Sequence, residues 1–315
     1  MKKNFKQSKI YLAGHTGMVG SSILKHLKEK NYKKIYTQSS KELNLTNQNN
    51  TEKYLLKVKP DVVIIAAAKV GGILANLNQK AKFIYDNMMI QNNLIHSSYK
   101  AGVKKLIFLG SSCVYPKYCK QPIKEKYLLS SSLEETNDAY AIAKISGIKM
   151  CEAYNKQYGV NYISLMPPNL YGPGDNYDSK NSHFYPALIK KIFNAIRKNK
   201  KEIILWGDGK PRRELMFVDD LASACEFFLR KKSKHNLINV GTGIDKSVLD
   251  HCKFIMKQLR VSLKIKFDKS KPNGTPRKLL DVSLAKSYGW KSKYDLKRGF
   301  KITLNEFIKK KKYLN

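Results

Sequence analysis

A tyrosine and a lysine, Tyr140 and Lys144, stand four residues apart in a segment rich in helix-forming residues. A helix with about 3.6 residues per turn places both side chains on one face. A nearby ammonium favours the phenolate, which predicts that Tyr140 transfers a proton near neutral pH. Ser111, just past an apolar strand-like run, is positioned to hydrogen-bond the same carbonyl oxygen while a hydride reaches carbon. The three residues predict carbonyl reduction. Because this Tyr–Lys spacing also occurs by chance on surface helices, the surrounding elements decide whether the pair is catalytic.

A glycine turn lies near the start of the chain, between a strand candidate, Lys9–Ala13, and a segment of helical periodicity. Its glycines are Gly14, Gly17 and Gly20. Glycines let a turn tighten and let the backbone approach a pyrophosphate, whose charge then lies at a helix N-terminus. The spacing is GxxGxxG rather than GxGxxG, and a loose helix-start turn is the alternative. Its place between strand and helix favours a dinucleotide cofactor.

The second strand candidate, Lys34–Thr37, ends in the stretch Gln38–Lys41, which contains no acidic residue. Sites that prefer NAD usually place an Asp or Glu there for the ribose diol. Serine hydroxyls and Lys41 tolerate a 2′-phosphate instead. The stretch predicts NADP(H).

Strands and helices alternate through the first half of the chain. Residues 60–68 are apolar without alternation, which is typical of a buried parallel strand, and a helix capped by Thr46 precedes them. A long helical segment, 78–101, leads to the strand Lys105–Leu109, and a further strand, Val160–Met166, follows the Tyr140 helix. The pattern predicts an α/β fold with a doubly wound parallel Rossmann sheet, whose ligands lie at the carboxyl ends of the strands.

The Pro/Gly-rich run Pro167–Gly174 predicts the domain boundary. We expect residues 1–172 to form the cofactor domain and residues 173–315 to form mainly a smaller C-terminal α/β substrate domain. The segment from Pro211 is expected to return to the first sheet before a helix, so that residues near 214–244 belong with that sheet.

Composition limits the classes of function. The 315 residues are 42% hydrophobic, enough for a substantial core, and their longest apolar run, Val62–Ala68, is too short to span a membrane. The five cysteines include no CxxC pair, which predicts neither a disulfide framework nor a metal site. We expect a cytoplasmic protein that does not bind membranes.

The formal net charge is +36. Such a charge invites a nucleic-acid function, but the lysines are spread over nearly every predicted helix and turn, without a nucleic-acid motif. Attraction of an anionic small substrate is the simpler interpretation. A non-catalytic nucleotide-binding or nucleic-acid-binding protein on the same fold is the alternative, against which Ser111, Tyr140 and Lys144 argue.

Longer blocks of sequence, in chain order, resemble the GDP-L-fucose synthase family of extended short-chain dehydrogenases/reductases. The resembling blocks are Gly14–Gly20, Ala66–Ile73, Phe83–Ile90, Leu109–Lys117, Tyr140–Lys144, Asn169–Pro173, Ser182-His183, Phe217–Leu221 and Lys271–Asp281.

The resemblance implies a homodimeric, NADP-dependent enzyme that epimerises a GDP-4-keto-6-deoxy-mannose at C3 and C5 and reduces its C4 ketone. It makes Ser111, Tyr140 and Lys144 the reductase residues, Cys113 the epimerisation base and His183 the acid. A C4 carbonyl acidifies the neighbouring C–H bonds, so a thiolate can remove a proton and an imidazolium can return one. The alternatives are a buried apolar role for Cys113 and a structural role for His183.

The resemblance also implies two sets of binding residues. The cofactor set is Gly14, Thr16, Gly17, Met18, Val19, Gly20, Ser39, Ser40, Lys41, Asn44, Leu45, Ala67, Ala68, Leu109, Gly110, Ser111, Tyr140, Lys144, Pro167, Asn169, Leu170 and His183. The substrate set is Ser112, Cys113, Asn169, Lys191, Trp206, Arg213, Lys264 and Lys278. The cations would bind the diphosphate and Trp206 would line the nucleotide pocket, with a core position for Trp206 as the alternative.

The chain also departs from the family pattern. Thr16 and the stretch Gln38–Lys41 lack arginines that bacterial members often have, which weakens the grip on a 2′-phosphate. Pro168, Phe184 and Tyr185 replace smaller or polar residues and are expected to change the walls of the sugar site. A C4-reductase without epimerisation, acting on another GDP-4-keto sugar such as a heptose, is therefore the close alternative.

Overall fold

Strands and helices alternate from Lys9 onward in the computed structural model, which describes residues 5–178, 182–271 and 273–310. The strands are β1 Lys9–Ala13, β2 Lys34–Tyr36, β3 Val62–Ile65, β4 Lys105–Leu109, β5 Asn161–Met166, β6 Asn169–Tyr171, β7 Glu202–Trp206, β8 Arg212–Phe217, β9 Leu237–Asn239, β10 Asp245–Ser247, β11 Lys264–Asp268 and β12 Arg277–Lys278. The helices are α1 Met18–Glu29, α2 Gln48–Val58, α3 Ile73–Asn78, α4 Lys80–Lys100, α5 Asp138–Tyr158, α6 Phe184–Arg197, α7 Val218–Arg230, α8 Val248–Leu259, α9 Ser283–Ser287 and α10 Leu296–Lys309.

Six parallel strands form the central sheet, in the order β2-β1-β3-β4-β5-β9. Every residue of β3 and β4 is buried, because helices cover both faces of the sheet. One apolar core lies between the sheet and the packed pair α1 and α7, and a second lies on the face covered by α2, α4 and α5. The predicted doubly wound parallel sheet is confirmed.

A second, mixed sheet lies beyond the central one. Strand β8 pairs with β6, β10 and β12, and a separate pair joins β7 to β11. The prediction that the segment from Pro211 returns to the first sheet is wrong for β8 itself, whose partners are all in the second sheet. The helix that follows it, α7, packs on α1, and β9 pairs with β5.

One local prediction, the capping of the second helix by Thr46, is also wrong. Helix α2 is capped by Asn47, whose side-chain oxygen accepts a hydrogen bond from Asn50 N at 2.9 Å, whereas the Thr46 hydroxyl donates to Asn44. An Asn side chain one residue later satisfies the free amide of the first turn. The long helix predicted over residues 78–101 is confirmed as α4, Lys80–Lys100, and the short helix α3 ends just before it at Asn78. Within the described ranges, the helices are too short or too polar to cross a membrane.

Candidate active site

The predicted cofactor residues lie at one edge of the central sheet. They follow β1, β2, β3, β4 and β5, which are parallel neighbours, so their carboxyl ends meet at the same edge. Met18 and Val19, in the first turn of α1, are half-buried, and Thr16 is exposed. Fold topology therefore brings together residues as far apart in the sequence as Gly14 and Leu170.

The glycine turn is tight at two positions and open at the third. Gly14 has φ +85°, and a Cβ there would lie 2.6 Å from Ala67 N. A Cβ on Gly20 would lie 2.0 Å from Gly14 O, so the first turn of α1 packs directly on the turn. Gly17, the N-cap of α1, is exposed, and its Cβ would meet only Gly14 O at 3.7 Å. The exposed helix N-terminus fits an anionic pyrophosphate.

The loop after β2 contains an acid that the sequence interpretation missed. Ser40 and Lys41 are exposed, as predicted for a phosphate site, but the Glu42 carboxylate accepts a hydrogen bond from Ser39 N at 2.7 Å. This bond lowers the pKa of Glu42. The stretch Gln38–Lys41 itself contains no acid, but Glu42, one residue beyond it, folds back onto Ser39 and brings a carboxylate into this loop. Asn44 is occupied locally by Thr46.

The loop after β3 is fixed by a residue of α4. Asn87 accepts a hydrogen bond from Lys69 N and donates one to Lys69 O, both at 2.9 Å, and so holds the loop that contains Ala67 and Ala68. Asn87 was not among the predicted site residues. The sequence signal that could have identified it is its place in the block Phe83–Ile90, which resembles the family. The remaining predicted cofactor residues are the buried Leu109, Gly110 and Pro167 and the half-buried Leu45, Asn169 and Leu170.

Tyr140 and Lys144 lie on one face of α5, as predicted. The Lys144 ammonium donates to Leu109 O at 2.8 Å, which joins the helix to the end of β4, and burial lowers the pKa of Lys144 to about 7. Burial, followed by the negative charge of Cys113, raises the pKa of Tyr140 well above its ordinary value. The expected stabilisation of the phenolate is wrong because desolvation dominates. Tyr140 is a phenol at neutral pH, which is the form that donates a proton.

Cys113 lies in a short 3-10 turn after β4, close to a lysine from the second sheet. Its backbone N donates to Ser111 Oγ at 3.2 Å, and Lys278 Nζ donates to Cys113 Sγ at 3.4 Å. Burial acts to raise the pKa of Cys113, but the charge of Lys278, hydrogen bonds from Ser111 and Lys278, and the charge of Arg213 outweigh it, so the pKa is lowered. The half-buried thiol is a base candidate rather than an inert core residue. Ser112 is buried and donates its N–H to Pro167 O.

His183 is the N-cap of α6 and its side chain is exposed. The protein wall desolvates the imidazolium and the charge of Lys278 opposes it, so the pKa of His183 is lowered. The neutral imidazole therefore predominates at pH 7, contrary to the expected imidazolium. Of the residues expected to alter the walls nearby, Phe184 is half-buried, but Pro168 and Tyr185 are buried, and Tyr185 packs against Tyr171 in a third apolar core. Only Phe184 remains a wall candidate.

Trp206 is 43% exposed, which rules out the core alternative. Lys191 Nζ and Lys271 Nζ lie 6.0 Å and 5.9 Å from its ring centroid. Lys271 was not predicted to lie near Trp206, although it is the first residue of the block Lys271–Asp281, which resembles the family. Lys264 stands at the other end of β11 from Asp268, the residue paired with Trp206, and four residues of strand span about 13 Å. The structure does not bring Lys264 to this tryptophan.

A cavity of about 400 Å³ lies at the turn that follows Trp206 in sequence. Its lining residues are Gly207, Asp208, Lys210, Phe267, Lys269 and Asn273. Arg213 links this cavity to Cys113, because its guanidinium donates to Asn273 O at 3.3 Å and its charge acts on the thiol. Asn169 is held by Glu214 O at 3.2 Å, on the strand of Arg213.

Known proteins are similar to this chain over nearly all of its length. Residues 10–241 match the NAD dependent epimerase/dehydratase family. The chain is 46% identical over 304 residues to GDP-L-fucose synthase 1 of Arabidopsis thaliana, covering 96% of this chain and 94% of that protein. It is 44% identical over 311 residues to GDP-L-fucose synthase of Escherichia coli strain K12, covering 96% of this chain and 97% of that protein.

A solved structure of a GDP-mannoheptose C4 reductase from Campylobacter jejuni with NADP bound is similar with a TM-score of 0.86 and 36% identity, covering 96% of this chain and 99% of that one. These relatives agree with the parallel sheet described above and with the position of the predicted cofactor residues after its strands. The chain belongs to the NAD dependent epimerase/dehydratase family and is an enzyme of the GDP-L-fucose synthase type.

Proposed function

We propose that the protein exchanges protons at C3 and C5 of a GDP-linked 4-keto sugar and then reduces the C4 ketone with NADPH. The observation that carries this proposal is the meeting of two kinds of chemistry at one point. Lys144, one helical turn from the proton donor Tyr140, donates to Leu109 O at the end of β4. Cys113, a base candidate, lies in the short turn that follows β4, where its backbone N donates to Ser111 Oγ. We infer that a ketone bound at Tyr140 presents its α-carbons to Cys113.

The reductive half rests on Ser111, Tyr140 and Lys144. Bound NADPH supplies the hydride. Tyr140 gives its proton to the C4 oxygen, and Ser111 hydrogen-bonds the same oxygen and keeps it in line. Lys144 fixes α5 against Leu109 O. Its positive charge balances the negative charge that Tyr140 acquires when it gives up its proton.

The epimerising half rests on Cys113 and His183. Sγ takes a proton from a carbon next to the ketone, and the electron pair of the broken C–H bond moves into an enolate on the C4 oxygen, near the Tyr140 hydroxyl. His183 returns a proton from the opposite side. Because its pKa is lowered, the imidazolium, which is the form that returns the proton, is the minor form at pH 7.

A second candidate is C4 reduction alone, on a GDP-4-keto heptose. The heptose reductase relative favours it, and so does Phe184 beside His183. A displacement of about 1 Å in the sugar costs roughly 10²-fold in rate, enough to remove one proton transfer.

For the cofactor, the exposed Ser40 and Lys41 support NADP, as does the NADP-bound relative. The carboxylate of Glu42 opposes it. We infer a preference for NADPH, set by Lys41.

The partner we propose is a second copy of the chain. Helices α4 and α5 pack side by side, and they expose Tyr85 at 63%, Ile142 at 43% and Tyr158 at 39%. An apolar surface on two parallel-lying helices suits a four-helix interface between copies. Light scattering should give twice the chain mass of 36.1 kDa, and a monomer at micromolar concentration would contradict the proposal.

The reductive half is tested by Tyr140→Phe. Removing the proton donor should lower turnover of a GDP-4-keto sugar by roughly 10²-fold or more, while NADPH binding changes little. Tyr158→Phe, on the same helix and outside the site, is the matched control and should keep wild-type turnover. Near-normal turnover of Tyr140→Phe would contradict the assignment.

A further inference from the structure

The residues before and after Lys278 in the sequence fix its position. In the parallel pairing of β12 with β8, Arg277 lies opposite Arg212 and Lys278 lies opposite Arg213. Both Arg277 and Arg212 form ion pairs with Asp245, at 2.6 Å and 3.1 Å. Since successive side chains of a strand point to opposite faces, this clamp on one face turns Lys278 and Arg213 to the other.

The residues that follow Lys278 are fixed as well. Leu279 N donates to Gln121 Oε1 and Leu280 N donates to Glu214 Oε2, each at 2.9 Å. Ile123 N donates to Leu279 O at 2.7 Å. The backbone that carries Lys278 is therefore bound on both edges, and its ammonium extends from a rigid base.

The Lys278 ammonium contacts Cys113 Sγ at 3.4 Å. The other groups that act on this sulfur are the Ser111 hydroxyl from the turn after β4, the uncharged Tyr140 from α5 and the Arg213 guanidinium from β8. The Arg213 guanidinium is already committed to two carbonyl oxygens, Arg212 O and Asn273 O. Lys278 is thus the cation that touches the sulfur, and its charge also acts on His183.

We propose that Lys278 is a positioning residue for proton abstraction: its ammonium, in contact with the Cys113 sulfur, holds that sulfur as a thiolate directed into the site. The inference deepens the proposed epimerisation and rests on it for its consequence. After Sγ has taken the sugar proton, the Cys113 thiol exchanges its hydrogen with solvent and returns a deuteron to the same face of the carbon, which keeps the configuration. Return of a deuteron by His183 to the other face inverts it. Because both routes add deuterium and only the second inverts, solvent deuterium should enter the sugar faster than its configuration inverts.

The pairing itself is tested without any sugar, by the rate at which iodoacetamide alkylates Cys113 in the full-length protein between pH 5 and 10. Mass spectrometry of the Cys113 peptide reads the rate, and Cys119 gives an internal reference, because burial raises its pKa. In Lys278→Met the alkylation midpoint should move to higher pH. The rate at pH 7 should fall about three- to tenfold, since the smaller thiolate fraction is offset in part by greater nucleophilicity.

Two further variants separate charge from shape. Lys278→Gln keeps a hydrogen-bond donor without the charge and should behave like Lys278→Met, whereas Lys278→Arg should keep a near wild-type curve. Lys309→Met, which removes one charge from the last turn of α10, is the control and should change nothing. An unchanged Cys113 curve in both Lys278→Met and Lys278→Gln would overturn the inference.

The same experiment distinguishes this inference from the proposed function. Deuterium exchange into a sugar with no effect of Lys278 on alkylation would leave the function standing and refute the pairing. A shifted alkylation curve with no deuterium exchange would uphold the pairing and refute the epimerisation.

Discussion

Substitution by alanine should affect mainly stability at Gly20 and mainly NADPH binding at Gly17. A Cβ on Gly20 would lie 2.0 Å from Gly14 O and 2.8 Å from His15 Cα, both backbone atoms, so the turn must move by about 1 Å or more to admit it. Overpacking of this kind costs about 1–3 kcal/mol. Gly17 has φ −79° and its Cβ would meet only Gly14 O at 3.7 Å, so alanine fits there without overpacking, and its poorer N-cap preference costs about 0.5–1 kcal/mol.

Thermal unfolding and NADPH titration separate the two roles. Gly20→Ala should lower the melting temperature of the cofactor-free protein by several degrees. Gly17→Ala should lower the melting temperature less than Gly20→Ala does, yet bind NADPH at least tenfold more weakly, because its methyl group would stand where the pyrophosphate approaches the N-terminus of α1. A Gly17→Ala protein with wild-type affinity would show that the cofactor does not lie over this turn.

Two other predictions concern the cofactor and pH. Wild-type protein should bind NADPH more tightly than NADH by fluorescence titration, Lys41→Glu should narrow the gap and Glu42→Gln should widen it; a wild-type preference for NADH would contradict the interpretation of this loop. Deuterium entry into the sugar should rise with pH through the pKa of Cys113, because the thiolate is the base, and inversion should fall as pH rises above the pKa of His183, because the imidazolium is lost. NMR of product formed between pH 5 and 9 measures both, and two flat profiles would exclude these residues as base and acid.

The central sheet was predictable because its signals are local. Buried strands such as Val62–Ile65 are short apolar runs, and the glycine turn lies directly between a strand and a helix. The position of Tyr140 and Lys144 on one helix face followed from their spacing alone. The order of the strands then placed their carboxyl ends together.

What the sequence did not predict depends on tertiary packing. The partners of β8 are distant in sequence, so its place in the second sheet has no local signal. The raised pKa of Tyr140 reflects burial, which spacing does not report. Glu42 contacts Ser39, in the loop after β2, because that loop folds back. Lys271 lies near Trp206 because β11 pairs with β7. The Lys278–Cys113 contact joins residues 165 positions apart.

The most direct test of the proposed function is to incubate the protein with a GDP-4-keto-6-deoxy sugar and NADPH in D2O and to identify the product by NMR. The account predicts a reduced C4 and deuterium at C3, C5 or both, with Cys113→Ser suppressing deuterium entry more than reduction. Reduction with no deuterium at either carbon of any accepted sugar would contradict the epimerase half and leave a C4-ketoreductase.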